Sequence, residues 1–156
     1  MSKRFNLAMT VSWLLVIGWM ILIFLLSAQV ADQSNELSTG ITEKLFVLVG
    51  KVFKDLSLKT FNHYIRKTAH FTIYLVLGLL LMHAFKVSHA TRRGGVFLTF
   101  VSGMVYAVSD EFHQSFVPGR GPSFFDVIID TSGVIVGILV FLLLCWKNIR
   151  SYTNDF

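Results

Sequence analysis

No charged residue stands between Arg4 and Asp32. Within that interval Leu7 to Ala28 form an apolar run long enough, at about 1.5 Å per residue, to cross a hydrocarbon core of about 30 Å. Lys3 and Arg4 precede the run as they would in a secretory signal. The run exceeds the usual ~7–15 apolar residues, however, and no small-x-small cleavage site follows Ser27-Ala28-Gln29, so the segment reads as a retained anchor. The rest of the chain agrees: 54% of its 156 residues are hydrophobic and only 15% charged, against about 25% charged in soluble domains. Fifteen Phe argue against disorder, and the single cysteine, Cys145, excludes an internal disulfide framework. The net charge of +5 then reads as a topology signal rather than as an affinity for nucleic acid.

Three further apolar runs, Phe71 to Phe85, Gly94 to Ser109 and Thr131 to Trp146, fall short of the roughly 20 residues of an upright span. One set of ends carries Lys86, Arg92, Arg93, Lys147 and Arg150, whose stems can snorkel to water. The opposite set carries His70, Asp110, Glu111, Asp126 and Asp130, which are too short to do so and should sit inside the membrane boundary. The expected fold is an all-α integral membrane protein forming a single domain over 1–156. Its transmembrane helices are expected at about 7–28, 66–86, 94–112 and 126–147. An extracytoplasmic amphipathic helix is expected at about 37–56, where Leu37, Ile41, Leu45, Leu48, Val52 and Leu56 recur at the helical period. The basic ends place both termini in the cytoplasm and the polar ends outside.

At 100° per residue, Asp126, Asp130, Gly133 and Gly137 share one face of the last helix. The two glycines form a small-xxx-small seam that can receive either a neighbouring helix or a second copy of the chain. Ser123-Phe124-Phe125-Asp126 is also a capping box, in which Asp126 would serve only helix N–H groups. Asp130 lies a turn deeper and needs a partner, because a carboxylate in an apolar helix costs about 2.5–3.5 kcal/mol. Asp110 and Gln114 share a face of the third helix, with Glu111 and His113 to either side. On the second helix Arg66 and His70 are stacked above Tyr74.

The connection Phe116-Val117-Pro118-Gly119-Arg120-Gly121-Pro122-Ser123 holds both prolines and reads as a preset turn. At this end Arg66, Lys67 and Arg120 face Asp110, Glu111, Asp126 and Asp130, with His70 and His113 able to take either charge. The excess carboxylate leaves three outcomes open: a carboxyl that keeps its proton, a protonated histidine, or a bound divalent cation on some of Asp110, Glu111, Asp126 and Asp130. A self-satisfied ion-pair network that only pins helices is the structural alternative. His63, His83 and His89 read as ordinary interface histidines and Cys145 as packing.

Arg66-Lys67-x-x-His70-x-x-x-Tyr74, Asp110-Glu111-Phe112-His113-Gln114-x-Phe116-x-Pro118-Gly119-Arg120 and Asp126-Val127-x-x-Asp130-x-x-Gly133-x-x-x-Gly137 resemble the signature of the VanZ-like membrane protein family. So does a first helix ending in Phe24-Leu25-Leu26-Ser27-Ala28-Gln29, although Ala28 departs from the family's pattern there. The family name comes from an accessory protein associated with resistance to the glycopeptide teicoplanin in Gram-positive bacteria. The resemblance therefore implies the cell envelope and supplies no reaction.

The first functional expectation is a pocket that binds, and on further conditions processes, an anionic lipid or lipid-linked envelope precursor at the outer leaflet. Arg66, Lys67 and Arg120 would hold a phosphate or carboxylate, with Tyr74 and Gln114 beside them. Glu111 or Asp130 would be the general base or metal ligand, and His70 or His113 would move protons. The second is a non-enzymatic module binding a headgroup, a drug or a partner protein. The third is a small transporter.

Overall fold

In a computed structural model the described residues, 2–28, 58–118, 121 and 123–152, form four helices and no strand. They are α1 (Ser2–Ser27), α2 (Leu58–Val87), α3 (Arg92–Gln114) and α4 (Phe124–Tyr152). The helices overrun the expected spans: α2 begins at Leu58 rather than 66, and α4 continues to Tyr152 because Lys147-Asn148-Ile149-Arg150 contains no breaker. The helix expected at 37–56 lies outside the described residues.

Three stretches are long and apolar enough to cross a membrane: Leu7–Ser27, His63–Val87 and Phe124–Leu144. The chain is thus a membrane protein by length and composition. By the same measure α3 falls short, since Arg92 and Arg93 open it and Asp110, Glu111 and His113 close it. Lipid as the surrounding solvent accounts for the outward face of α1, where Leu7, Leu14 and Leu25 stand exposed, and for Leu143 and Leu144 on α4.

Successive helices run antiparallel, which puts the C-termini of α1 and α3 and the N-termini of α2 and α4 at one end. The most extensive interface is that of α2 with α4. Its cause is the absence of side chains at three positions. A Cβ at Gly133 would strike the Phe71 carbonyl oxygen, and one at Gly137 that of Leu75. A Cβ at Gly78 would come within 2.6 Å of the Val134 carbonyl oxygen. The glycine seam is therefore used inside the chain, bringing two backbones into contact as small residues do between membrane helices.

Helix α1 joins α2 and α3 and makes no contact with α4 among the described residues. Polar tethers supplement its apolar packing. The Trp13 indole N–H donates to Ser88 Oγ at 3.0 Å, the Trp19 indole to the Ile73 carbonyl at 2.9 Å, and the Tyr106 hydroxyl to the Met20 carbonyl at 2.5 Å. The α2–α3 turn is closed locally. His89 adopts a left-handed φ of 59° while the Ala90 N–H returns to the Phe85 carbonyl at 3.0 Å, which ends α2. Thr91 then caps α3 by accepting the Gly94 N–H at 3.2 Å.

The seam makes a paired prediction. Gly133→Ala forces a methyl group onto the α2 backbone and is expected to destabilise the protein by about 1–3 kcal/mol. Gly18→Ala, where no atom lies within 4 Å of the added carbon, is expected to be neutral or to stabilise by up to about 1 kcal/mol through helix propensity. Unfolding of the purified protein in detergent, followed by helical signal, separates the two.

Candidate functional site

Lys67 on α2 and Asp126 on α4 form an ion pair at the polar end, with side chains 22% and 19% exposed. One turn further in, His70 Nδ1 stands 3.6 Å from Asp130 Oδ1, and Asp130 has no exposed surface. The next turns are Tyr74 against Gly133 and Gly78 against Gly137. The two ionic rungs are thus the outer continuation of the glycine seam, spaced by the helical repeat on both helices.

Helix α3 supplies the remaining acids. Glu111 is buried, and its Oε2 accepts the Ser123 backbone N–H at 2.8 Å. That N–H precedes α4, so the carboxylate that serves the start of this helix comes from α3, while Asp126 is engaged by Lys67. Asp110, also buried, accepts the Ser27 hydroxyl at 2.7 Å and the Gln114 amide at 3.1 Å, both on Oδ2. Gln114 also donates to Ser27 Oγ at 3.3 Å, closing a three-membered network between the ends of α1 and α3. The Tyr74 hydroxyl is fully buried, and both Asp110 and Asp130 lie within electrostatic reach of it. The Tyr74 and Tyr106 rings stand beside one another with centroids 6.2 Å apart.

Several polar atoms of this cluster are buried without a hydrogen-bond partner: Asp110 Oδ1, Glu111 Oε1, both Asp130 oxygens, the Tyr74 hydroxyl and His70 Nδ1. Buried polar groups are rarely left so.

The structure brings together Lys67, His70, Tyr74, Asp110, Glu111, Gln114, Asp126 and Asp130. Arg66 is half-buried and close enough to Lys67 to influence its charge. His113 turns elsewhere: its ring stacks on Phe24 of α1, centroids 4.2 Å apart and planes 28° apart. Arg120 lies outside the described residues. Among the described residues no three of His, Cys, Asp and Glu are placed to hold a metal ion, and this includes Asp110, Glu111, Asp126 and Asp130. Gly133 and Gly137 face α2.

The residue that sequence reasoning missed is Ser27. A serine at the end of an apolar helix ordinarily bonds a carbonyl of its own helix, as Ser12 does with Ala8 at 2.8 Å. Nothing in the spacing separates the two cases. Only the neighbouring Asp110 redirects the hydroxyl.

Removing one donor of this network leaves a buried charge short of a partner. Ser27→Ala is expected to cost about 1–3 kcal/mol. In a double-mutant cycle with Asp110→Asn, the pair is expected to couple by about 0.5–3 kcal/mol. Unfolding free energies of the four proteins in detergent give both quantities.

With the geometry in hand, comparison with known proteins adds one finding: the model of the VanZ/LLP1 family matches residues 12–145. No curated protein and no solved structure matches the chain.

Proposed function

The chain belongs to the VanZ/LLP1 family, and from that membership and the ladder just described we propose a cell-envelope protein that binds the anionic headgroup of a lipid or lipid-linked precursor at the outer leaflet. In this reading α3 is a fourth crossing and both termini are cytoplasmic. The basic residues Lys86, Arg92, Arg93, Lys147 and Arg150 belong to the end opposite the cluster, as the positive-inside rule requires. The link to glycopeptide resistance follows the family.

The observation that carries the proposal is the Lys67–Asp126 pair at the rim of a buried polar cluster. The pair reaches the surface, so an incoming phosphate can replace the Asp126 carboxylate as the anion facing Lys67 without leaving the ammonium unpaired, with the Arg66 guanidinium suited to bidentate contact. Phe112, Phe116, Phe124 and Phe125, each more than two-thirds exposed, flank the same end and offer an apolar surface for the chain attached to the headgroup. Below Asp130 the α2–α4 seam is closed by backbone contact, which favours binding over transport.

One observation favours a processing step as the second reading. His70 beside fully buried Asp130 has the form of a base and the carboxylate that orients it, and Glu111 presents an oxygen free of hydrogen bonds to the same cluster. In that case His70, Glu111 and Asp130 act on the bound headgroup.

The test uses the purified full chain with phosphatidylglycerol in detergent, read by native mass spectrometry against diacylglycerol of the same acyl composition. The wild type is expected to retain the anionic lipid selectively. Arg66→Ala and Lys67→Ala are each expected to lower that retention about tenfold, the effect of losing one charge-assisted hydrogen bond. Equal retention of the two lipids by the wild type overturns the proposal. Release of a water-soluble product from the bound lipid, lost in Glu111→Gln, would establish the processing step.

A further inference from the structure

We infer that the interior of the cluster is a subsite for an ammonium group, so that the ligand is one carrying a phosphate and, just beyond it, a protonated amine. This rests on the headgroup-binding reading and goes beyond it, because a purely anionic ligand leaves the deeper residues unexplained.

The charge is uneven with depth. Lys67 lies within electrostatic range of Glu111 and Asp130, but its ammonium is bound to Asp126. Behind that rung stand three carboxylates, Asp110, Glu111 and Asp130, each within electrostatic range of the other two. The other titratable side chain at this depth is the His70 imidazole, 3.6 Å from Asp130. Three carboxyl groups therefore share this depth with one imidazole.

The unpartnered atoms define what is missing. Asp110 Oδ1, Glu111 Oε1 and the Asp130 oxygens are acceptors, and all three side chains are at least nine-tenths buried. A primary ammonium has three N–H donors and no acceptor, the complement of carboxylate oxygens left without a donor. The fully buried Tyr74 hydroxyl, in reach of Asp110 and Asp130, completes no hydrogen bond of good geometry.

A metal ion fits less well. It would draw oxygens to within about 2.3–2.6 Å of one point, and no three acidic or histidine side chains among the described residues are so placed. An ammonium needs no such closed shell, since one or two carboxylates at about 2.7–2.9 Å suffice to hold it.

The rungs also set a length. Lys67–Asp126 and His70–Asp130 are one helical turn apart, about 5.4 Å, a separation that a phosphate joined to an amine through a two-carbon linker can bridge. His70, with a side chain 20% exposed, stands where such a linker would pass. The headgroup of an aminophospholipid and a free phosphorylated amine share this chemistry.

The experiment offers the purified full-length protein three lipids of identical acyl chains in detergent, with native mass spectrometry as the readout. These are phosphatidylethanolamine, its N-acetylated derivative, and phosphatidylglycerol, with diacylglycerol as the headgroup-free reference. The expected result is about tenfold greater retention of phosphatidylethanolamine than of either other lipid, from charge-assisted contacts that only the ammonium can make. Asp130→Asn and Glu111→Gln are each expected to bring that ratio close to one. The wild-type comparison does not depend on either variant folding. Equal retention of the ethanolamine lipid and its N-acetylated form overturns the subsite. If both still exceed diacylglycerol, the headgroup reading survives the subsite's failure; if neither does, both fall. Displacement of the bound lipid by equimolar free phosphoethanolamine would assign the site to a soluble amine, and persistence of the lipid would assign it to the membrane.

Discussion

Asp130 sets the terms for the rest of the structure. It is a carboxylate with no exposed surface on a helix otherwise apolar for several turns, and hydrocarbon offers it nothing, so its partner has to come from protein. The glycine seam is what allows that. Because Gly133 and Gly137 let α4 lie against the α2 backbone, the two helices remain close enough at their outer ends for Lys67 to reach Asp126 and for His70 to approach Asp130. Seam and ladder are one interface read at two depths, apolar and backbone-to-backbone inside, ionic outside.

Much of this was legible from residue spacing. Four helices, a shared polar end, and Asp126, Asp130, Gly133 and Gly137 on one face follow from hydrophobic periodicity and from the difference between side chains that can snorkel and side chains that cannot. What spacing does not carry is the identity of partners between helices. The local motif Ser123-Phe124-Phe125-Asp126 leaves Asp126 open between capping and the polar cluster, and the structure gives the Ser123 N–H to Glu111 and Asp126 to Lys67. A tertiary carboxylate displaced a local one, and no single-helix pattern signals that exchange. Helical angle already turns His113 to another side of α3 than Glu111, and the structure shows what lies there, the ring of Phe24. Ser27 belongs to the family-like end of the first helix, but spacing does not name Asp110 as its partner. The helix over 37–56 and Arg120 lie outside the described residues.

The arrangement of helices explains why the acids are neither dispersed nor in contact. Helices α2 and α3 lie between α1 and α4, which do not touch among the described residues. Asp110 is fixed from the α1 side, through Ser27 and Gln114. Asp130 is fixed from the α4 side, and Glu111 is drawn toward the start of α4 by the Ser123 N–H. Asp110 and Glu111 therefore each commit one oxygen to a different neighbour and leave the other without a donor, while Asp130 has the His70 imidazole beside it at 3.6 Å. Tyr74, on the central helix α2, lies within electrostatic reach of both Asp110 and Asp130.

Such an arrangement behaves differently from a packing device. Helix-pinning ion pairs neutralise one another, and removing both partners for apolar residues of similar size is commonly neutral or stabilising. Here the outward atoms of Asp110 and Glu111 already do the pinning, through neutral donors on Ser27, Gln114 and the Ser123 backbone. Their other oxygens find no donor, and Asp130 has the His70 imidazole beside it at 3.6 Å. Acceptor positions are thus left unfilled at the end of the bundle flanked by exposed phenylalanines. That combination is what a site for a cationic group inside an apolar surround requires.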